Sequence, residues 1–506
     1  MTSRTLGTLT LTLVGLLFGT GSATAREAST AADQLGPRFD LSRTSASAPR
    51  LQRRHANAVE HWNAIAIDAS GLDHTPPAPG EIRGYGEQLG PGRSSRAMAI
   101  VHVAIFEAVN AIAGSRASYI GLAPVPRDAS VDAAIAQAAH DTLVEVFPSQ
   151  AASFDAELTS GLARVRDRRA RLLGVRIGNE AARRILAKRA TDGSDHDEPQ
   201  MGVDYVPGLA PGEWRQDPIS VTPIALGAHW GEVVPFAISS AADFRVPTPP
   251  ELDSEAYAVA FVETQALGGD GVTTPTLRTP EQTEIGIYWA YDGMPSLCAP
   301  PRLYNQIALQ IARLQRTNVV ELARLLALVN VAMADAGIAA WESKYFYRTW
   351  RPVLGIREAD AGSGPSGLGD GNPDTHADET FSPLGAPASN LTGPNFTPPF
   401  PAYPSGHATF GGALFQTLRR FYGRDDIAFS FVSDELNGVT RDHSGNVRPR
   451  VTRRFASLSQ AEQENGQSRI YLGIHWSFDK TAGIDQGRAI ANVVFETLFP
   501  RRPRER

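Results

Sequence analysis

One cysteine, Cys298, occurs in 506 residues. An internal disulfide is therefore impossible and a thiolate metal cluster is excluded. A single cysteine with apolar neighbours reads as an inert core residue. Excess positive charge is missing too: the formal net charge is -6, which gives no global reason to expect nucleic acid or an anionic membrane as partner. Any local cluster of cations then reads as a site. Period-two alternation of apolar and polar residues is scarce, which argues against extensive sheet. Beyond the N-terminus no segment reads as long and apolar enough to span a membrane.

What is present is 42% hydrophobic, enough for a large core and more than one packed unit. Arg4, the apolar run Leu6 to Phe18 and the small-x-small site Ala23-Thr24-Ala25 form a secretory signal over residues 1–25. The expected product is exported to the periplasm or the extracellular medium, starting near Arg26. Residues 26–90 are polar with Pro/Gly-rich pieces and read as an irregular arm. Helical periodicity then runs through "SRAMAIVHVAIFEAVNAIAG", "VDAAIAQAAHDTLVEVF" and "RRARLLGVRIGNEAARRILAKRA". It returns at 253–266, 279–291, 302–315, 318–347, 405–422, 425–436 and 454–497, with long loops at 191–251 and 360–404. The class is all-α. "VHVAIFEAVNAI" (101–112) and "VNVAMADAGIAA" (329–340) resemble each other, which points to two related bundles, 91–250 and 251–506. Only the second copy runs on into basic residues, so the chemistry is expected there.

Three stretches carry it. In "KYFYRTWRP", Lys344 and Arg351 are seven apart and would project from one helical face before Pro352. In "PAYPSGHATFGG", Pro404 would start a helix, Ser405 cap it, and Gly406 let a ligand approach the backbone. The first-turn N–H groups then make an anion seat with His407 beside it. In "SRIYLGIHWSFD", Arg469 adds a third cation, and the carboxylate of Asp479, four residues on, would orient His475 from the same helical face. Together the cations can neutralise an oxyanion in a desolvated pocket. His475 would offer a lone pair at one apex and His407 serve the other, an arrangement suited to phosphoryl transfer or to vanadate. A non-catalytic binder of phosphate or vanadate has no need of His407. "DGNPDTHADE" (370–379) begins like a calcium loop but lacks the glutamate at position twelve and reads as a solvated loop. His102, His140, His229 and His443 read as satisfied or surface histidines.

K-x6-R-P, then P-S-G-H, then S-R-x5-H-x3-D, in this order, resembles the signature of the vanadium-dependent haloperoxidases and the type 2 phosphatidic acid phosphatases. The resemblance implies vanadate bound through His475 and held by Lys344, Arg351, Ser405, Gly406 and Arg469. It also implies His407 as acid/base, Lys344 polarising peroxide, and Asp292 holding Arg469. The core motifs do not separate peroxidase from phosphatase. In the chloroperoxidase branch an aromatic pair at the offsets of Trp341 and Phe400 shapes a halide pocket, and Phe400 stands where a bromoperoxidase-like protein places a second histidine. The chain is also about twice as long as a single-bundle phosphatase needs. The implied activity is oxidation of chloride or bromide by hydrogen peroxide to hypohalous acid, with an organic molecule as a further acceptor. The alternative is an acid phosphatase using His475 as nucleophile.

Overall fold

The computed structural model describes residues 30–43, 57–125 and 127–502. The signal segment 1–25 lies outside the described residues. In chain order the α-helices are α1 (Ala31–Leu35), α2 (Ala58–Asp73), α3 (Gly90–Ala113), α4 (Val131–Val146), α5 (Ala151–Ala163), α6 (Arg168–Arg189), α7 (Glu255–Gly268), α8 (Pro280–Tyr288), α9 (Pro300–Leu314), α10 (Val319–Tyr347), α11 (Pro352–Arg357), α12 (Gly406–Tyr422), α13 (Leu458–Tyr471) and α14 (Ser477–Thr497). Two three-residue strands, β1 (Phe429–Phe431) and β2 (Arg453–Phe455), pair antiparallel. The class is all-α.

The two longest apolar helices, α3 and α10, pack against each other at the centre of one continuous core. Both are long and apolar enough to cross a bilayer, which corrects the expectation that no such segment exists. Their most apolar windows are 89% and 100% buried inside the protein, so protein replaces lipid around them. Around α3 stand α2, α4 and α6; around α10 stand α9, α12 and α14.

The two halves match in detail. His102 of α3 bonds Asn63 of α2, and Asn330, at the same position of the repeated segment, bonds Asn305 of α9. Gly174 and Gly178 of α6 lie against the Ser130 and Ala134 carbonyls of α4, where an added Cβ would stand 2.4 Å away. Gly483 and Gly487 of α14 lie in the same way against the Ser405 and Thr409 carbonyls at the start of α12. Helix α2 forms inside the arm read as irregular. Asn57 caps that 16-residue helix by accepting from the Glu60 N–H, and its inward face is carried by Val59, Trp62, Ala66 and Ile67.

Other readings are corrected as well. The stretch 425–436 holds β1 and a single 3-10 turn rather than a helix. The run 454–497 is divided by the turn after Tyr471, where Gly473 takes a φ of +71°. The segment 370–379 is not solvated throughout, because Asp370, Asn372 and Thr375 are buried. Thr375 Oγ1 donates to the Asp370 carboxylate, and Asn372 Nδ2 donates to the carbonyls of Leu252 and Ser254, which pins the loop to the chain entering α7.

The glycine contact between α12 and α14 supports the site, and it makes a prediction of opposite signs. A Cβ at Gly487 would stand 2.0 Å from the Thr409 carbonyl oxygen, so Gly487→Ala is expected to destabilise the protein by about 2 kcal/mol. Gly161 sits inside α5, where such a Cβ would meet Arg164 Nη2 at 3.8 Å and Ala136 Cβ at 3.9 Å, ordinary contacts, so Gly161→Ala is expected to stabilise by about 0.5 kcal/mol. Denaturant unfolding of the two variants beside the parent checks both signs.

Candidate active site

Lys344 lies in the last turn of α10, which stops when Arg348 takes a left-handed φ of +53°. The chain then pairs with the first long loop: Trp214 N–H donates to the Arg348 carbonyl and Trp350 N–H to the Gly212 carbonyl. Arg351 is the N-cap residue of α11, with Pro352 opening that helix. Lys344 and Arg351 thus do not share a helical face, a correction to the spacing argument; a turn brings them together. Both are buried, at 0% and 1% exposure. His475 and Asp479 likewise do not share a helix face. His475 sits in the turn before α14, and Asp479 is in that helix's first turn, its carboxylate reaching back to the Trp476 N–H at 3.0 Å and to His475 Nδ1 at 2.7 Å.

Ser405 is the N-cap residue of α12, but its side chain makes no cap bond. Its N–H donates to the Asp479 carbonyl at 3.0 Å, tying the starts of α12 and α14 together. The first-turn N–H groups, beginning with that of Gly406, have no acceptor within the helix. His407 Nε2 donates to the Ala290 carbonyl at 2.5 Å, which leaves Nδ1 with its lone pair. The His407 carbonyl is held by Tyr304 Oη and Asn465 Nδ2, each at 2.9 Å.

The cations divide their donors between the protein and the cavity. Arg351 gives Nε to the Phe400 carbonyl and Nη1 to both the Ile474 carbonyl and His475 Nε2, the last at 2.8 Å. Arg469 gives Nη2 to Asp292 at 2.6 Å. Arg351 Nη2, Arg469 Nε, Arg469 Nη1 and Ser405 Oγ are buried without any partner in the protein. Leaving such donors unmet costs about 1–3 kcal/mol each, so the arrangement calls for acceptor atoms at their focus. The Lys344 ammonium donates to the carbonyls of Pro401, Ala402 and Pro404, so its protons hold the chain leading into Ser405.

Burial and then the Arg469 charge hold the His407 imidazole well below its ordinary range, and burial and then Arg351 do the same to His475. Both are neutral at pH 7, and each keeps one lone pair. Burial pushes the Asp479 carboxyl up to about 7, against the Trp476 N–H and the nearby cations. Burial also raises Asp292, with Arg469 opposing it. The Lys344 ammonium is pushed well below its usual range by burial and Arg351, while its three carbonyl acceptors favour the charged form.

Trp341 and Phe400 stand together on one wall, ring centroids 4.8 Å apart. Trp341 also covers Gly406, where a Cβ would meet its ring at 3.3 Å. Trp341, Phe400, Gly406, His407, Arg469 and His475 all line one cavity. Leu35 and Phe39 of the N-terminal arm and His74 after α2 also line it. Sequence reasoning missed these three, as well as Ala290, Tyr304 and Asn465. No motif marks them, because backbone carbonyls and distant arms carry no residue-type signal. Of the four histidines set aside, His102 is buried on Asn63 and His140 is held by Asp141 and Asp155; neither lines this cavity.

A double helical bundle with one buried, cation-lined oxyanion cradle defines the class shared by vanadium haloperoxidases. Residues 324–500 match the family model described as the VCPO second helical-bundle domain. The vanadium chloroperoxidase of Curvularia inaequalis is 32% identical over 512 residues, covering 85% of this chain and 80% of that protein. The fold matches that of a bacterial vanadium-dependent iodoperoxidase, with a TM-score of 0.67, 23% identity, and coverage of 90% of this chain and 100% of that one. It also matches a holo-type bacterial vanadium-dependent chloroperoxidase, with a TM-score of 0.59, 19% identity, and coverage of 81% and 92%. The chain belongs to the vanadium-dependent haloperoxidase family, on its chloroperoxidase-like side.

Because Ser405 Oγ has no protein partner, Ser405→Ala is expected to leave the unfolding midpoint of the protein unchanged within about 1 °C. The same variant should weaken orthovanadate binding by roughly tenfold, the value of a hydrogen bond to a charged group. Thermal unfolding and calorimetric titration of the same preparation separate the two effects.

Proposed function

We propose that this enzyme oxidises chloride or bromide with hydrogen peroxide to hypohalous acid at a vanadate held in the cradle. The observation that carries the reading is the set of unpartnered buried donors, Arg351 Nη2, Arg469 Nε and Nη1 and Ser405 Oγ, with Arg351 bonded through Nη1 to His475 Nε2. They fit a tetrahedral oxyanion. His475 Nε2 would hold the metal, and for that Arg351 Nη1 must release its hydrogen bond to this nitrogen. Bound vanadate supplies Lewis-acid activation of peroxide at constant oxidation state.

The chain's own groups do the rest. Asp479 fixes the His475 tautomer by accepting from Nδ1, so that the lone pair faces the cradle. Asp292 fixes Arg469. His407, neutral and buried, takes a proton at Nδ1 and returns it. In the net reaction halide loses two electrons to the peroxide O–O bond, and halide, hydrogen peroxide and one proton give hypohalous acid and water. Lys344 polarises by charge rather than by a direct hydrogen bond. The aromatic wall suits a halide ion: the Lys344 ammonium lies 5.1 Å and the Arg351 guanidinium 5.0 Å from the Phe400 ring centroid, so positive charge backs an otherwise apolar surface. Export, supported by the residue 1–25 pattern, suits an enzyme that makes a diffusible oxidant.

Purified protein stripped of vanadate is expected to halogenate a simple diketone only when orthovanadate, peroxide and halide are all supplied. His475→Ala should abolish the activity, and His407→Ala should lower kcat by about 10²–10⁴-fold. Hydrolysis of a phosphate monoester that vanadate blocks, with no halogenation under any of these conditions, would overturn the reading in favour of a phosphatase.

A further inference from the structure

The eleven residues between α8 and α9, 289–299, carry two of the site's tethers. The Ala290 carbonyl accepts from His407 Nε2, and the Asp292 carboxylate accepts from Arg469 Nη2. Between them stands Tyr291 in a left-handed conformation, φ +50°; Ser296 at +67° and Cys298 at +58° follow. Three of the eight non-glycine residues with positive φ among the described residues lie in this one short stretch. Such conformations are sparsely populated and persist only where the surroundings over-determine them.

Glu435 is what holds the turn. Its Oε1 accepts the Tyr291 N–H at 3.2 Å, and its Oε2 accepts Ser389 Oγ at 2.6 Å and Arg448 Nη1. The next residue upstream, Asp434, donates its N–H to Tyr291 Oη at 2.6 Å, and that hydroxyl donates to Gln306 Oε1 at 3.2 Å. Glu435 is 0% exposed and Arg448 is 8% exposed. Neither lines the cavity, whereas Tyr291 does. A buried ion pair is weak evidence for stability, because apolar packing of the same volume serves as well or better. Its placement here has a different use: it grips the one residue whose two neighbours grip His407 and Arg469.

We propose that Glu435, paired with Arg448, is a positioning residue of this enzyme. Through the Tyr291 N–H it fixes the turn 290–292 and so sets where the His407 imidazole and the Arg469 guanidinium stand. The inference rests on reading the cradle as an oxyanion site. A sequence search for chemistry-bearing motifs passes over Glu435, because it lies in the 3-10 turn after β1, well outside the three signature stretches.

The test measures orthovanadate affinity by calorimetry, diketone halogenation, and the unfolding midpoint, on the full chain. Glu435→Ala removes the acceptor for the Tyr291 N–H and is expected to weaken vanadate binding tenfold or more and to lower kcat more than it raises KM for halide. Glu435→Gln keeps an acceptor at the same place and should bind within threefold of the parent. Tyr291→Phe leaves the buried ion pair intact, removes only the hydroxyl ties, and should weaken binding threefold or more. A folded Glu435→Ala protein that binds vanadate within twofold of the parent would overturn the proposal. If Glu435→Ala does not fold, Glu435→Asp, which keeps the charge but shortens the reach to the Tyr291 N–H, decides: binding weakened threefold or more supports the proposal, and binding within twofold overturns it. A parent protein that binds vanadate without halogenating would sink the haloperoxidase reading, and the affinity comparison would still decide the positioning role.

Discussion

Three cations buried around one point govern this structure. Lys344, Arg351 and Arg469 are at most 1% exposed, and the carboxylates of Asp292 and Asp479 lie among them. Burying charge without full compensation is costly, and the surrounding chain is arranged to limit that cost. The backbone of 400–404 turns four carbonyls inward, three onto Lys344 and that of Phe400 onto Arg351. The Ile474 carbonyl does the same for Arg351. Donors of Arg351, Arg469 and Ser405 remain unmet, and Arg469 lines the cavity, so the constraint that shapes the loops also leaves donors for a ligand. An oxyanion completes the charge balance that the protein alone leaves open.

The paired bundles show how little separates scaffold from site. Ser130 and Ser405 occupy the same place, the N-cap of a helix whose first turns lie on two glycines of a partner helix. Ser130 spends its hydroxyl on the Ala133 N–H, and Asp167, at the N-cap of α6, caps through its side chain to Ala170. In the second bundle neither Ser405 nor Trp476 makes a side-chain cap. The capping energy is forgone there, about 1 kcal/mol at each end. In return the Ser405 hydroxyl and the first-turn N–H groups of α12 stay available to a ligand. The close glycine packing is retained in both halves because it sets the distance between helices.

Much of the fold was legible in the sequence, since long amphipathic and apolar periodicities survive folding: α3, α4, α6 and α10 stand where the pattern put them. Helix α2 was lost because the Pro/Gly-rich stretch after it coloured the reading of the whole arm. The run 425–436 misled because a few apolar residues do not distinguish a short strand from a helix. At the site, residue identities were legible and the geometry was not. Spacings of seven and four residues imitate helix faces, but Arg348 in a left-handed conformation and Gly473 after α13 break both helices, and tertiary contacts bring the side chains together instead. The roles of Ala290, Tyr304, Asn465 and Glu435 were invisible, because Ala290 acts through its own carbonyl and the other three act on backbone groups whose positions only the fold reveals.

The most direct test is a crystal structure of the protein soaked with orthovanadate. The account predicts density for a single oxyanion bonded to His475 Nε2, with oxygens within hydrogen-bond distance of Arg351 Nη2, Arg469 Nη1 and Ser405 Oγ, and the Arg351–His475 hydrogen bond released. An oxyanion bound elsewhere, or a cradle in which that bond persists and the four donors stay unmet, would contradict it.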